Sequence, residues 1–432
     1  MTENVSKIWH TKLDASLYTT FETLGVIASE QGFNLYLVGG AVRDFFLNLP
    51  ITDLDFVVEP SEGNNISLSS GPYLANVFAQ NFSSEVSSVS KFGTAKIKIK
   101  EFDVDVATSR SETYPSPGSL PVVVPNSLYD DLKRRDFTIN SMAVSISPSS
   151  FGNVFDPFNG LDHLRMKLLH VHHRNSFQDD ATRILRGFRY LSRLNFKFSD
   201  FTEKIIYNDL DYINEISGDR IKSELIRIFE EVKASEILKL IYDSGLLSLI
   251  HPAFVWNESK SKNYKFLQSN NKELKKFVLF ALLIRGINTK DAETLKNRIN
   301  ANGLWSDVIS DDVSLNSLIP DLMQRSALRS FIYDSLLEIN DLNLLSYGSM
   351  QNNERICEIL CNFDEFKKDA EISFDGSKLI ELGVPKGEHV GKILLELKHQ
   401  RLDGKISNIF DEEKIVKEKL KILGVEPSSS KP

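Results

Sequence analysis

Two aspartate pairs, Asp53-Leu54-Asp55 and Asp103-Val104-Asp105, carry the strongest chemical signal in the chain. Alternate residues of a β-strand share a face, so each pair projects from one side of its strand while Leu54 and Phe56 turn to the other. Two like charges fixed side by side on an otherwise apolar strand repel and resist burial. Either they sit on a solvated edge strand, or a hard cation with oxygen ligands supplies the counter-charge. A third carboxylate from the second strand would complete the set that two-metal phosphoryl transfer uses, in which one ion lowers the pKa of an attacking hydroxyl and another stabilises departing pyrophosphate.

Upstream, Leu37-Val38-Gly39-Gly40-Ala41-Val42-Arg43-Asp44 sets two glycines between an apolar strand and an expected helix. Such a junction serves as a tight turn, or lets backbone amides approach a triphosphate, with Arg43 adding positive charge. Downstream, Lys133-Arg134-Arg135 reads in isolation as a solvated basic turn. Asp180 and Arg183 stand three apart near the start of an expected helix, a spacing that makes their side chains neighbours. Cytosine and adenine both present an amino donor beside a ring-nitrogen acceptor, whereas uracil and guanine present a carbonyl beside a ring N–H. A fixed Asp/Arg pair, one acceptor and one donor, therefore fits C and A and rejects U and G. An isolated pair of this kind would be an ordinary intrahelical ion pair worth about 0.2–0.5 kcal/mol. Arg183, Arg186, Arg189 and Arg193 fall within an arc of roughly 120°, opposite Ile184, Phe188 and Leu191. That stripe could neutralise phosphates or form a solvated basic face.

Other reactive side chains are read as structural. Cys357 and Cys361 lie four apart with no histidine near them, which suggests core thiols on one helix face. His170, His172 and His173 alternate in a strand-like segment with no nearby carboxylate at ligand spacing, so they are taken as surface or core imidazoles.

The elements that must position these groups follow from pattern. Leu35 to Val38, Leu54 to Val58, Ala95 to Ile99 and Phe102 to Ala107 read as strands. Ser61 to Gly71 reads as a surface loop, and Tyr114 to Pro125, with four prolines, as irregular structure. From about Ser176 the spacing turns helical, with runs over Asp179 to Leu194, Arg220 to Val232 and Ala234 to Leu247. A chain of 432 residues exceeds a single core and suggests roughly two to four domains. No stretch approaches the roughly 18 uninterrupted apolar residues of a membrane span, no apolar signal core opens the chain, and two cysteines suit a reducing compartment; a cytoplasmic protein without a membrane partner is expected. The net charge of −8 is a weak objection to a polyanionic partner, because local clusters of Lys and Arg make phosphate contacts.

Taken together, Gly39-Gly40-x-Val42-Arg43-Asp44, Asp53-x-Asp55 and Arg134-Arg135-Asp136-Phe137-Thr138-Ile139-Asn140 resemble the class II tRNA nucleotidyltransferase and bacterial poly(A) polymerase family. The similarity continues through Asp156-Pro157-Phe158-Asn159-Gly160-Leu161-Asp162 and Asp179-Asp180-Ala181-Thr182-Arg183-Ile184-Leu185-Arg186, where Asp179 departs from the family's usual Glu and Ala181 from a frequent proline. A later segment, Leu379 to Lys392, resembles a helix-turn-helix found in many members.

The resemblance implies an α+β chain: a polymerase-beta-like mixed-sheet nucleotidyltransferase head over residues 1–148, then an all-helical half. That half comprises a base-recognition neck over 149–232, a tRNA-binding body and tail over 233–425, and a disordered end at 426–432. It implies that Asp53, Asp55 and Asp105, the last preferred to Asp103 on this ground, are catalytic and bind Mg2+. Gly39, Gly40, Arg43, Arg134, Arg135, Asp136, Asn140, Asp180, Arg183, Arg186 and Arg189 would bind the nucleotide. The implied partners are tRNA, CTP and ATP, with no protein partner predicted, and the implied reaction adds CCA to tRNA 3′ ends. Addition of CC only, A only or a poly(A) tail shares nearly all these motifs, and an inactive RNA-binding relative is the non-enzymatic alternative.

Overall fold

Alternating burial makes the strands. In Asp53–Pro60 the side chains of Leu54 and Phe56 are buried while Asp53 and Asp55 face the opposite side, and Phe102–Thr108 repeats the pattern with Val104 and Val106 inward. The computed structural model describes residues 4–51, 53–61, 65–256, 272–324, 328–351 and 353–425. Thr52, the middle of the Ser61 to Gly71 segment and the expected disordered end at 426–432 lie outside the described residues.

The chain divides into two compact units, Met1–Leu249 and Ile250–Pro432. Strands of the first are β1 (Phe33–Val38), β2 (Asp53–Pro60), β3 (Val86–Val89), β4 (Thr94–Ile99), β5 (Phe102–Thr108), β6 (Arg110–Thr113), β7 (Val122–Pro125), β8 (Ala143–Ser145), β9 (Val154–Phe155), β10 (Leu168–Leu169) and β11 (Lys197–Phe198), the last two of which pair with each other within the half expected to be all-helical. Seven of them form one sheet in the order β3-β4-β5-β2-β1-β8-β9, in which β2 and β5 are parallel and the other neighbours antiparallel. The helices of this unit are α1 (Ser6–Lys12), α2 (Ala15–Glu30), α3 (Gly40–Phe46), α4 (Ser70–Asn81), α5 (Leu128–Lys133), α6 (Gly160–Arg165), α7 (Ser176–Asp179), α8 (Thr182–Leu194), α9 (Asp200–Asp209), α10 (Gly218–Glu230), α11 (Ala234–Asp243) and α12 (Leu246–Ile250).

Helices α2 and α4 cover the apolar face of the sheet. Phe21 of α2 meets Phe56 edge to face, with centroids 5.9 Å apart, and Trp9 of α1 lies against Phe21 at 5.2 Å. Burying a side chain of this size contributes about 1.5–3 kcal/mol, so this layer fixes which face of β2 turns inward. Gly25 lets α2 approach closely, since a Cβ there would stand 1.8 Å from the Ile146 carbonyl oxygen.

Two expectations need correction. Tyr114 to Pro125 is not irregular throughout: Val122–Pro125 pairs antiparallel with Arg110–Thr113 in a separate two-stranded ribbon, whose edges tolerate proline. The helical run over Ala234 to Leu247 is two helices, broken where Gly245 takes φ +83.

The described part of the second unit is helical, from Lys272–Ile284 to Ile409–Ile422. One apolar cluster gathers around Leu315, Leu336 and Leu360, and another around Leu379, Leu397 and Leu420. The helix-turn-helix is present as Gly376–Glu381 and Glu388–Leu402, with Gly383 and Gly387 at positive φ between them. Cys357 and Cys361 do share a helix face, their Sγ atoms 4.0 Å apart, but both are half-buried rather than in the core. No described helix is long and apolar enough to cross a membrane.

Candidate functional site

The parallel pairing of β2 with β5 sets Asp53 opposite Asp103 and Asp55 opposite Asp105. Both strands lie inside the sheet, which removes the edge-strand explanation of the pairs. Asp53 is exposed; Asp55 and Asp105 are half-buried and line a cavity of about 630 Å³ within the first unit. Burial raises the Asp55 carboxyl above the ordinary aspartate range; Arg135 opposes the shift, and Asp105 and Asp53 add to it. On the far side of β5, Lys96 of β4 reaches Asp105 with Nζ 2.9 Å from Oδ2. Among the described residues no three acidic, His or Cys side chains gather closely enough to hold a metal ion.

Gly39 and Gly40 join β1 to α3 beside these carboxylates. Gly39 takes φ +70, and a Cβ there would meet an Arg135 Nη at 2.8 Å. Its amide donates to the Met142 carbonyl at 3.3 Å, so it is engaged in the turn. Arg43 is buried and forks onto Asp44 at 2.8 and 2.9 Å, while its remaining Nη donates to Asn140 Oδ1 at 2.7 Å. Asn140 Nδ2 donates to Asp136, which also accepts from the Phe137 amide and from Arg186 Nε and Nη2 at 2.8 and 2.6 Å. Burial alone would raise the Asp136 carboxyl, but Arg186 and these donors hold it well below the carboxylate range. A continuous chain of charge-assisted bonds thus runs from α3 through the Arg-Arg-Asp segment to α8.

The segment Arg134-Arg135 is not a solvated turn. Asp131, fully buried on α5, accepts Arg134 on one carboxylate oxygen at 3.0 and 2.8 Å and Arg135 on the other at 3.3 and 3.0 Å. Burial works to raise the Asp131 carboxyl, and the two guanidiniums outweigh it and lower it. Arg134 also holds Glu112 at 2.8 Å, and its carbonyl accepts Arg183 at 2.7 Å.

Asp180 is not on the helix with Arg183. It stands extended, at φ −149 and ψ 98, between α7 and α8, and its Oδ1 accepts the Thr182 amide and hydroxyl at 3.0 and 2.6 Å. Its ion-pair partner is Arg220 of α10 at 2.7 Å, while Arg183 donates to Ser176 and Arg134 oxygens. Both residues nevertheless line the same cavity. The arginine stripe is not a solvated face either: Arg186 is bound to Asp136, Arg189 lies 3.8 Å from Glu224, and Arg193 lies 3.9 Å from Glu231. Arg189 and Asp53 are the two predicted site residues absent from the cavity lining.

Several lining residues escaped the motifs. Arg110, Glu112 and Tyr114 alternate along one side of β6 and its continuation. Arg220, Ser223, Glu224 and Arg227 line it from α10 at i, i+3, i+4 and i+7, a polar helical stripe that was there to be read. The lining has nine arginines, Arg43, Arg110, Arg134, Arg135, Arg183, Arg186, Arg193, Arg220 and Arg227, against six carboxylates, Asp55, Asp105, Glu112, Asp136, Asp180 and Glu224. This local excess of positive charge suits an anionic ligand despite the chain's net −8. The histidines are structural partners: His172 Nε2 lies 2.7 Å from Ser141 Oγ and His170 Nδ1 2.8 Å from Ser199 Oγ. The fold does bring a carboxylate near His173, with Asp179 at 3.7 Å.

Residues 35–170 match the poly A polymerase head domain, and residues 195–256 match a probable RNA and SrmB-binding site of polymerase A. The chain is 30% identical over 420 residues to the A-adding tRNA nucleotidyltransferase of Geobacter sulfurreducens, covering 91% of this chain and 46% of that one. It is 28% identical to the CCA-adding enzyme of Lactobacillus gasseri, covering 88% and 92%. A solved structure of a CCA-adding enzyme in apo form superposes with a TM-score of 0.80 at 25% identity, covering 98% of this chain and 99% of that one. The chain carries the head and RNA-binding domains of the poly A polymerase family, and the relatives and solved structures it resembles are A-adding and CCA-adding tRNA nucleotidyltransferases. The chain spans from 26% to 46% of the length of the first curated A-adding relatives it matches.

Proposed function

We propose that this chain is a template-independent nucleotidyltransferase that adds CCA to the 3′ end of tRNA from CTP and ATP, in the cytoplasm. One observation carries the reading: a single arginine-rich cavity is lined at the sheet by Asp55 and Asp105 and at α7 and α8 by Asp180 and Arg183. In the reaction the RNA 3′ oxygen bonds to the α-phosphorus, the bond from that phosphorus to the β-bridging oxygen breaks, and pyrophosphate leaves.

Asp53, Asp55 and Asp105 fit Mg2+ by donor chemistry, offering hard oxygens from two adjacent strands whose mutual repulsion favours an added cation. When bound, such an ion lowers the pKa of the attacking hydroxyl and offsets charge on the leaving group. Arg135, held by Asp131 beside Gly39 and Asp55, is placed to meet triphosphate oxygens. Of the five N–H donors of Arg183, three are committed to Ser176 and Arg134 oxygens, which orients the remaining two rigidly for a ring-nitrogen acceptor. Asp180, held by Thr182 and Arg220, supplies the acceptor for an exocyclic amino group. Residues 1–148 would act as head, 149–232 as base-recognising neck and 233–425 as the tRNA-holding body and tail.

Asp55→Asn should lower incorporation of α-labelled CTP into tRNA lacking its CCA end by at least about 10³-fold with unchanged unfolding; near-normal turnover would refute the assignment. Addition of A alone is the second reading, favoured by the names of the first three curated relatives. Three tRNAs, ending before the first C, after CC and after CCA, each incubated with single nucleotides, separate the two.

A further inference from the structure

The strand register does more than pair aspartates. Lys96 of β4 stands opposite Asp105 of β5, which stands opposite Asp55 of β2, so one row across the sheet reads Lys-Asp-Asp. Lys98, Asp103 and Asp53 form a second row of the same composition one step along. In the first row the ammonium is bonded to Asp105 at 2.9 Å, and the described residues contain no closed set of metal ligands. We propose that Lys96 is a positioning residue that holds Asp105 out of the metal-binding set until a divalent cation displaces it. This rests on the reading of Asp53, Asp55 and Asp105 as metal ligands given above.

The bridge is suited to displacement. The Lys96 side chain is 61% exposed and that of Asp105 30%, so water screens the pair and little is lost when it opens. While it stands, the ammonium satisfies one carboxylate and opposes a second positive charge arriving beside it. The nucleotide-free protein therefore binds a bare divalent cation weakly. A triphosphate arriving with the ion offers the released ammonium a new anionic partner, so entry of metal and nucleotide becomes coupled.

The test is titration of the nucleotide-free protein with Mn2+ alone, read by electron paramagnetic resonance of the free ion. Lys96→Gln should bind Mn2+ about three- to tenfold more tightly than the unsubstituted chain, and Lys96→Arg, which keeps a cation that can reach Asp105, should stay near the original affinity. In Lys96→Gln a non-hydrolysable CTP analogue should tighten Mn2+ binding less than it does in the unsubstituted chain. Equal or weaker Mn2+ binding by Lys96→Gln would overturn the proposal. If the unsubstituted chain binds Mn2+ no better than Asp55→Asn does, the metal-site reading itself fails and this inference falls with it.

Discussion

Asp131→Asn isolates what one buried carboxylate contributes. Asp131 divides its two oxygens between two guanidiniums, so the carboxamide can keep one fork while turning its NH2 group toward the other. Arg134 has Glu112 as a second partner, so the fork given up is that of Arg135. Hydrogen bonds to charged groups contribute about 1.5–3 kcal/mol net, and breaking a buried ion pair costs about 3–5 kcal/mol. The Arg135 side chain keeps 17% exposure, which places the loss at the lower end, about 3 kcal/mol. Urea unfolding would be followed by fluorescence in a Trp256→Phe/Trp305→Phe background, leaving Trp9, buried in the first unit, as sole reporter. The urea midpoint should fall with no change in slope. In an Arg135→Met background the same substitution should cost at least about 1.5 kcal/mol less, because the fork is already gone. A loss below about 1 kcal/mol, or additivity of the two substitutions, would refute the reasoning.

Two further outcomes follow from the site. Arg220→Met removes the ion pair that steadies Asp180, together with a bond to the Gly118 carbonyl, and should raise the KM for CTP and ATP by about tenfold and let UTP in more readily; unaltered nucleotide discrimination in single-turnover assays of the folded variant would exclude a role for that pair. Burial, aided by Arg183, pushes the His172 imidazole down to about 3, so the folded chain keeps it neutral while the unfolded chain takes up a proton below its ordinary value. More protons bound when unfolded means that stability falls as pH drops below about 6.5 and the loss levels off near the folded value. Between pH 7.5 and pH 5 this amounts to about 2 kcal/mol, which His172→Gln should remove from the pH dependence of the urea midpoint.

The local pattern rules carried far where contacts are local. Period-two burial located β1, β2, β4 and β5 because each has one apolar face under α2 or α4, and the same-face placement of Asp53 with Asp55 followed directly. The ribbon of β6 and β7 was hidden by its prolines, although Val122-Val123-Val124 was a β-branched run pointing to it. Asp180 was placed wrongly because three-residue spacing implies adjacency only on an unbroken helix, and the chain is extended at that residue. The fate of the arginine stripe depended on Glu224 and Glu231, some 35 residues or more further on, which no local spacing rule connects to it. The position of Lys96 against Asp105 likewise depended on strand order, which single-sequence patterns do not define.

The lone parallel pairing in the large sheet has an evolutionary consequence. Because β2 and β5 run side by side in the same direction, the spacing of Asp55 to Asp105 is set by their ladder and not by the length of chain that crosses between them. The loops of the crossover can therefore lengthen or shorten without re-tuning the carboxylates, provided α4 and β4 keep their places on the sheet, whereas a one-residue slip of either strand would turn its pair to the opposite face. Changes of length in the loops that join α4, β3 and β4 within that crossover should be tolerated, whereas insertions within β2 or β5 should be eliminated.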